Sequence, residues 1–120
     1  MKNLFLTLLF FMYSGASMSA DNPLLRDAIE APAMVYWSSL GQTERVEKLL
    51  AEGGNANAVD AGGYSALHAA SENNHLDLVK LLLAHGASVN YSNAGHTALS
   101  LARLANNIEI VTFLLANGAE

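Results

Sequence analysis

Between Asp60 and Tyr91 the apolar positions fall into two short clusters separated by small and polar residues. The first holds Leu67, Ala69 and Ala70; the second holds Leu78, Val79, Leu81, Leu82 and Leu83. Gly62 and Gly63 supply permissive backbone for a turn ahead of the first cluster. Ser65 is placed to cap a helix over about Ala66 to Glu72. Asn73, Asn74 and His75 interrupt it, and a second helix is predicted over about Leu76 to Ala84. Gly86 falls just past that helix, where a left-handed residue is expected. This loop, turn and helix pair carries too little apolar surface to stand alone, so it needs neighbours of its own kind.

The chain supplies them. Leu67-His68-Ala69-Ala70 returns as Leu99-Ser100-Leu101-Ala102, 32 residues later. Leu81 to Ala87 returns as Phe113 to Ala119 at the same spacing, and Val46 to Gly53 precedes Val79 to Gly86 by 33. A period near 33 with a turn and two helices resembles the ankyrin repeat. Ser65-Ala66-Leu67-His68-Ala69-Ala70 is similar to that family's Thr-Pro-Leu-His-x-Ala box, and Thr97-Ala98-Leu99 matches it more loosely. The resemblance covers about Ala33 to Ala119. It implies an all-α fold: an ankyrin repeat solenoid of about three helix-turn-helix repeats. Repeat 1 is placed at 33–59, repeat 2 at 60–91 and repeat 3 at 92–120. Repeat 1 departs from the pattern, since Pro32-Ala33-Met34-Val35 replaces the box and Trp37 stands where a small residue is usual. Its second helix is expected over Glu44 to Glu52. Repeat 3 is expected to close the array with a polar outer side, for which Arg103, Asn106, Asn107, Glu109, Thr112 and Asn117 are available.

The first twenty residues follow a different pattern. Met1-Lys2-Asn3 opens with one positive charge, Leu4 to Tyr13 is almost unbroken apolar sequence, and Ser14 to Ala20 is mostly small and polar. This is the order of a secretory signal peptide, with cleavage expected after Ser19 or Ala20. The apolar run is too short to span a bilayer as a helix, which takes about 20 residues. A leader at 1–20 implies a periplasmic or secreted location for the rest. From 21 to 32 a cap helix is expected, with Asp21 or Asn22 capping it and Pro23 in its first turn.

Composition narrows the chemistry. The formal net charge is −5 with no basic cluster, which argues against nucleic acid as a partner. There are no cysteines, so disulfides, thiol catalysis and thiolate metal sites are excluded. No nucleophile, base and orienting group fall together in sequence, so no catalytic residue is assigned and an enzyme is not expected. The four histidines lack metal-ligand spacing, so no metal or cofactor is assigned. In the family the resemblance names, His68 ties backbone turns together and His75 occupies a structural turn position.

What remains is a surface. The resemblance implies that loop tips and first-helix faces form a concave side that binds another protein. Carried over position by position, that side includes Tyr64, Glu72, Asn73 and His85 from repeat 2. Asn93, His96 and Leu104 come from repeat 3, with Tyr91 in the loop between. The sequence is similar to small exported ankyrin proteins of bacteria, which implies binding in stress defence or toxin neutralisation. A second expectation is a small metal or haem carrier using His85, His96 and Tyr91.

Overall fold

The computed structural model describes residues 32–120. The expected leader at 1–20, and all but the last residue of the expected cap helix at 21–32, lie outside the described residues. The described chain holds six helices: α1 (32–39), α2 (Thr43–Ala51), α3 (Ala66–Glu72), α4 (Leu76–Ala84), α5 (Ala98–Leu104) and α6 (Ile108–Ala116). They pair as α1–α2, α3–α4 and α5–α6. Among the described residues the only β pairing is two isolated bridges, Val59 with Ser65 and Asn93 with His96.

The helices begin and end for local reasons. Ser65 accepts a hydrogen bond from the His68 amide at 3.1 Å, while the Ser65 amide donates back to His68 Nδ1 at 3.3 Å. Thr97 and Ser100 make the same reciprocal pair one repeat on. Both boxes satisfy amides that the first turn of a helix leaves open. At the other end each first helix stops on a left-handed residue. Asn74 has φ 63° and Asn106 has φ 60°, and the next amide reaches back to Ala70 O or Ala102 O at 2.9 Å. Gly86 does the same for α4 at φ 89°, as expected, and Ala87 N–H closes on Leu82 O at 3.0 Å. The helix of repeat 1 expected at Glu44 to Glu52 is offset by one residue, because Gln42 occupies the cap position.

Packing follows the repeat. First helices stack on first helices (α3 on α5), and α4 sits between α2 and α6 in the second layer. The core runs through all three repeats and includes Met34, Val46, Leu67, Leu78, Val79, Leu82, Leu99, Ile110 and Leu114. Leu82 and Leu114, 32 residues apart, are both fully buried. Each such side chain contributes roughly 1.5–3 kcal/mol of burial. Trp37, too large for its position in the family pattern, is half-buried, with the Arg45 guanidinium 4.2 Å over its ring.

Side-chain amides and one imidazole lace the repeats together. Asn57 donates to Gly86 O at 3.0 Å and accepts from Ser88 N–H at 2.7 Å. Asn90 repeats this with Gly118 O at 3.1 Å and Glu120 N–H at 3.0 Å. At the helix turns, His75 Nε2 bonds Ser39 O at 3.2 Å, and Asn107 Nδ2 bonds Ser71 O at 2.8 Å and Glu72 O at 3.1 Å. These bonds satisfy carbonyls that the last turns of α1 and α3 would leave open. His75 is thus structural, as its position implied.

The outer side of repeat 3 departs from expectation. It was expected to be polar, yet Ile108 is 67 % exposed and Leu115 is 46 % exposed. Asn107, one of the residues expected on that side, is instead spent on α3. Glu109 and Thr112 line a shallow groove between α4 and α6 together with Ile108, Leu76 and Lys80.

Candidate protein-binding face

The loops between repeats set the geometry of the face. In the loop of repeat 2, Asp60 Oδ1 accepts from the amides of Gly62 and Tyr64, each at 2.9 Å. Asp60 N–H then donates to Tyr64 O at 2.9 Å, closing the tip. The loop of repeat 3 is a two-residue turn: Asn93 and His96 exchange both backbone bonds, at 3.0 and 2.9 Å, around Ala94 and Gly95. Both turn residues have positive φ, 53° and 82°. That is the type I′ pattern of a tight hairpin.

The two tips are tied to each other. Asn93 Nδ2 donates to Gly62 O at 3.0 Å, and Tyr91 Oη donates to Gly63 O at 2.8 Å. A Cβ at Gly63, where φ is 80°, would sit 2.7 Å from Asn93 Oδ1, so only glycine permits this approach. Beneath the tips three rings stack: Tyr64 lies 5.4 Å from His68, and His68 lies 5.3 Å from Tyr91. His68 is 1 % exposed and uses both ring nitrogens. Nδ1 accepts from Ser65 N–H, so Nε2 carries the proton and donates to Tyr91 O at 3.2 Å. Burial is the main reason its pKa is lowered, although the hydrogen bond to Tyr91 opposes the shift. His68 therefore holds the turns of two repeats together, the role its motif implied.

Tyr64 is half-buried, and its hydroxyl donates to the Glu72 carboxylate. Burial, then the hydrogen bond and charge of Glu72, raise the phenol well above its ordinary value. Tyr64 and Glu72 are thus one unit, a phenol braced by a carboxylate. Asn73 beside them is exposed but donates to Ala69 O at 2.8 Å. His96 is exposed at the neighbouring tip. Leu104 ends α5 at the position equivalent to Glu72 and is 75 % exposed. Seven of the eight expected residues thus sit on loop tips or first-helix ends. His85 stands apart, exposed at the C-cap of α4 in the second-helix layer.

Two exposed apolar residues on the same layer were not anticipated. Tyr36 is 56 % exposed on α1, with its ring 4.8 Å from Trp37, and Leu40 just past α1 is 51 % exposed. Leu40 is 33 residues before Asn73, so shifting Asn73 back by one repeat would have reached it.

The geometry offers little to a metal or haem. Among the described residues no group of three or more His, Cys, Asp or Glu side chains is placed to hold an ion. The Tyr91 hydroxyl is committed to Gly63 O. No described helix is long and apolar enough to cross a membrane.

Comparison with known proteins agrees with the architecture. A family model described as ankyrin repeats (three copies) matches residues 34–120. An ankyrin repeat-containing protein of Schizosaccharomyces pombe is 42% identical over 53 residues, covering 44% of this chain and 26% of that protein. Ankyrin repeat and SOCS box protein 6 of Homo sapiens is 38% identical over 72 residues, covering 59% of this chain and 17% of its own length. The same protein of Pongo abelii is 36% identical over the same length of match. The chain thus spans about a quarter or less of these relatives. The matched repeats, the helix pairs at a 32–33-residue period and the capping boxes agree: this chain belongs to the ankyrin repeat family, whose repeats bind other proteins.

Proposed function

We propose that the chain binds a partner protein through its loop tips and first-helix ends. The observation that carries this is Leu104, 75 % exposed at a position the framework does not need. The braced Tyr64–Glu72 pair lies one repeat away, with Tyr36 and Leu40 a repeat beyond. Aromatic and apolar anchors of this kind dominate binding energy at interfaces. The tips are laced before any partner arrives, so binding pays little to order them. The net charge of −5 and the carboxylates of Asp60 and Glu72 on this side favour a partner with a basic patch.

The wider setting belongs to the same proposal. The leader-like pattern at 1–20 supports export, with the partner met in the periplasm or outside the cell. Stress defence or toxin neutralisation is the role that the resemblance to small exported ankyrin proteins supports. A photo-crosslinking residue at Leu104 should capture a protein from an extract of the compartment where the chain resides. The same residue at Glu47, on α2 in the second-helix layer, should not. Capture at Glu47 and none at Leu104 would place binding on the other side.

A further inference from the structure

The first-helix ends line up across the repeats. Glu72 ends α3 and Leu104 ends α5 at equivalent positions, 32 residues apart. The next position along is Leu40, Asn73 and Ala105 in repeats 1, 2 and 3. All five residues are exposed, in the middle repeat as in its neighbours, so the exposure belongs to the position and not to an end of the stack. The row is acidic in the middle, at Glu72, and apolar on either side, at Leu40 and Leu104. Tyr64 holds the middle in place. Its hydroxyl donates to Glu72 Oε2, and among the described residues it is the one donor to that carboxylate, so Oε1 is left for a partner. Asp60, whose Oδ1 accepts from the Tyr64 amide, puts a second carboxylate beside the same residue. Arg103 does not neutralise them. Its equivalents Ser38 and Ser71 are fully buried in the stack, so Arg103 stands on the side of α5 that faces away from repeat 2.

Building on the binding face described above, we propose that this row selects a partner segment in which one basic side chain stands between two apolar ones. The base meets Glu72, and the apolar pair meets Leu40 and Leu104. A neutral surface laid over an ionised carboxylate strips its water and returns nothing, whereas a guanidinium or ammonium returns both a charge and a hydrogen bond. An acidic segment is opposed by Glu72, by Asp60 and by the net charge of −5. Tyr64 is the positioning residue. Its phenol fixes where Oε1 points, so the carboxylate meets its partner without first ordering a long side chain. Glu72 is then the residue that sets specificity, and the two leucines supply contact area around it. The spacing follows from the stack. Packed helices lie about 8–10 Å apart, and three residues of extended chain cover about 10 Å. In an extended segment the base therefore falls three residues from each apolar side chain.

Selection from a random dodecapeptide library displayed on phage, against the immobilised full chain, tests this. Peptides that short hold little helix of their own, so the extended spacing applies. Enriched sequences should carry Arg or Lys with an apolar residue three positions to each side. A synthetic peptide of the most enriched sequence should bind the full chain. Glu72→Gln should weaken that binding about tenfold or more, with unchanged far-ultraviolet circular dichroism. Tyr64→Phe, which keeps the ring and loses the hydroxyl, should weaken it less. The same peptide with its base replaced by Ala should bind more weakly and should not distinguish Glu72→Gln or Tyr64→Phe from the parent chain, the coupling that a direct contact requires. Enriched sequences without a basic residue, no enrichment over the bare support, or equal binding by Glu72→Gln would each overturn the proposal. Leu104→Ala separates it from the reading it builds on. Peptides weakened by Leu104→Ala and indifferent to Glu72→Gln would sink the basic segment and leave the face standing. Peptides weakened by Glu47→Ala, and by neither Leu104→Ala nor Glu72→Gln, would sink the face as well.

Discussion

His68 shows how much one side chain holds. It caps its own helix by accepting at Nδ1, which requires the neutral ring, and reaches the next repeat by donating from Nε2. Its folded pKa is lowered, chiefly by burial. Above about pH 6.5, the unfolded value, the ring is neutral in both states and its full contribution is present. As the pH falls below that, the unfolded chain takes up a proton that the folded chain refuses. Stability is then lost progressively until the pH reaches the lowered folded value. Thermal melts at pH 8 and pH 5 should show a lower midpoint at pH 5, and His68→Gln should reduce that difference. An equal pH dependence in the variant would contradict this account of His68. Ala94 is a second informative residue. It sits at φ 53°, where an L side chain other than Asn or Asp costs roughly 1–2 kcal/mol. Ala94→Asn makes an Asn-Gly turn of the type the tip already adopts. It should raise stability by about 0.5–1 kcal/mol in denaturant melts, and a loss would show that the turn is not the one described.

At the scale of elements, the stack is the source of stability. Leu82 joins α4 to the core shared with the neighbouring repeats and is fully buried. Leu82→Ala should cost about 2–5 kcal/mol, a large share of what a domain this size holds in reserve. Because the repeats share interfaces, the loss should appear as one lowered transition. Two separate transitions, or a cost under about 1 kcal/mol, would contradict the packing. Helix positions were legible in the sequence because they are local: Ser65, Thr97, Asn74 and Gly86 mark ends that caps and left-handed residues dictate. What was not legible is long-range. Nothing near Tyr91 in sequence says that its hydroxyl will meet Gly63 O, 28 residues away. Nothing near Asn107 says that it will grip α3. Tyr91 and Asn93 were expected among the contact residues, and the structure adds that both brace the loop tips. The exposed apolar residues of α6 were missed for a different reason. Ile108 and Leu115 look like core positions, and only the stack shows that they are exposed.

At the scale of the molecule, the two layers divide the work. The second-helix layer offers Glu47 of α2 and Lys80 of α4 to solvent, with Ile108 and Leu115 exposed on α6. The loop and first-helix layer offers Leu104, Tyr36 and Leu40 around the Tyr64–Glu72 pair. Binding strength should therefore be concentrated on one side. The face is acidic at its centre, so association should slow as salt is raised. The most direct test is calorimetric titration of the captured partner with Tyr64→Ala, Leu104→Ala and Glu47→Ala. Tyr64→Ala and Leu104→Ala should each weaken binding by about 1–2 kcal/mol or more. Leu104→Ala should leave the melting midpoint nearly unchanged, because exposed substitutions usually stay within about 0.5 kcal/mol. Glu47→Ala should bind as the parent does. Loss of binding in Glu47→Ala, with Tyr64→Ala and Leu104→Ala unaffected, would show that the partner sits on the second-helix layer and that the assigned face is wrong.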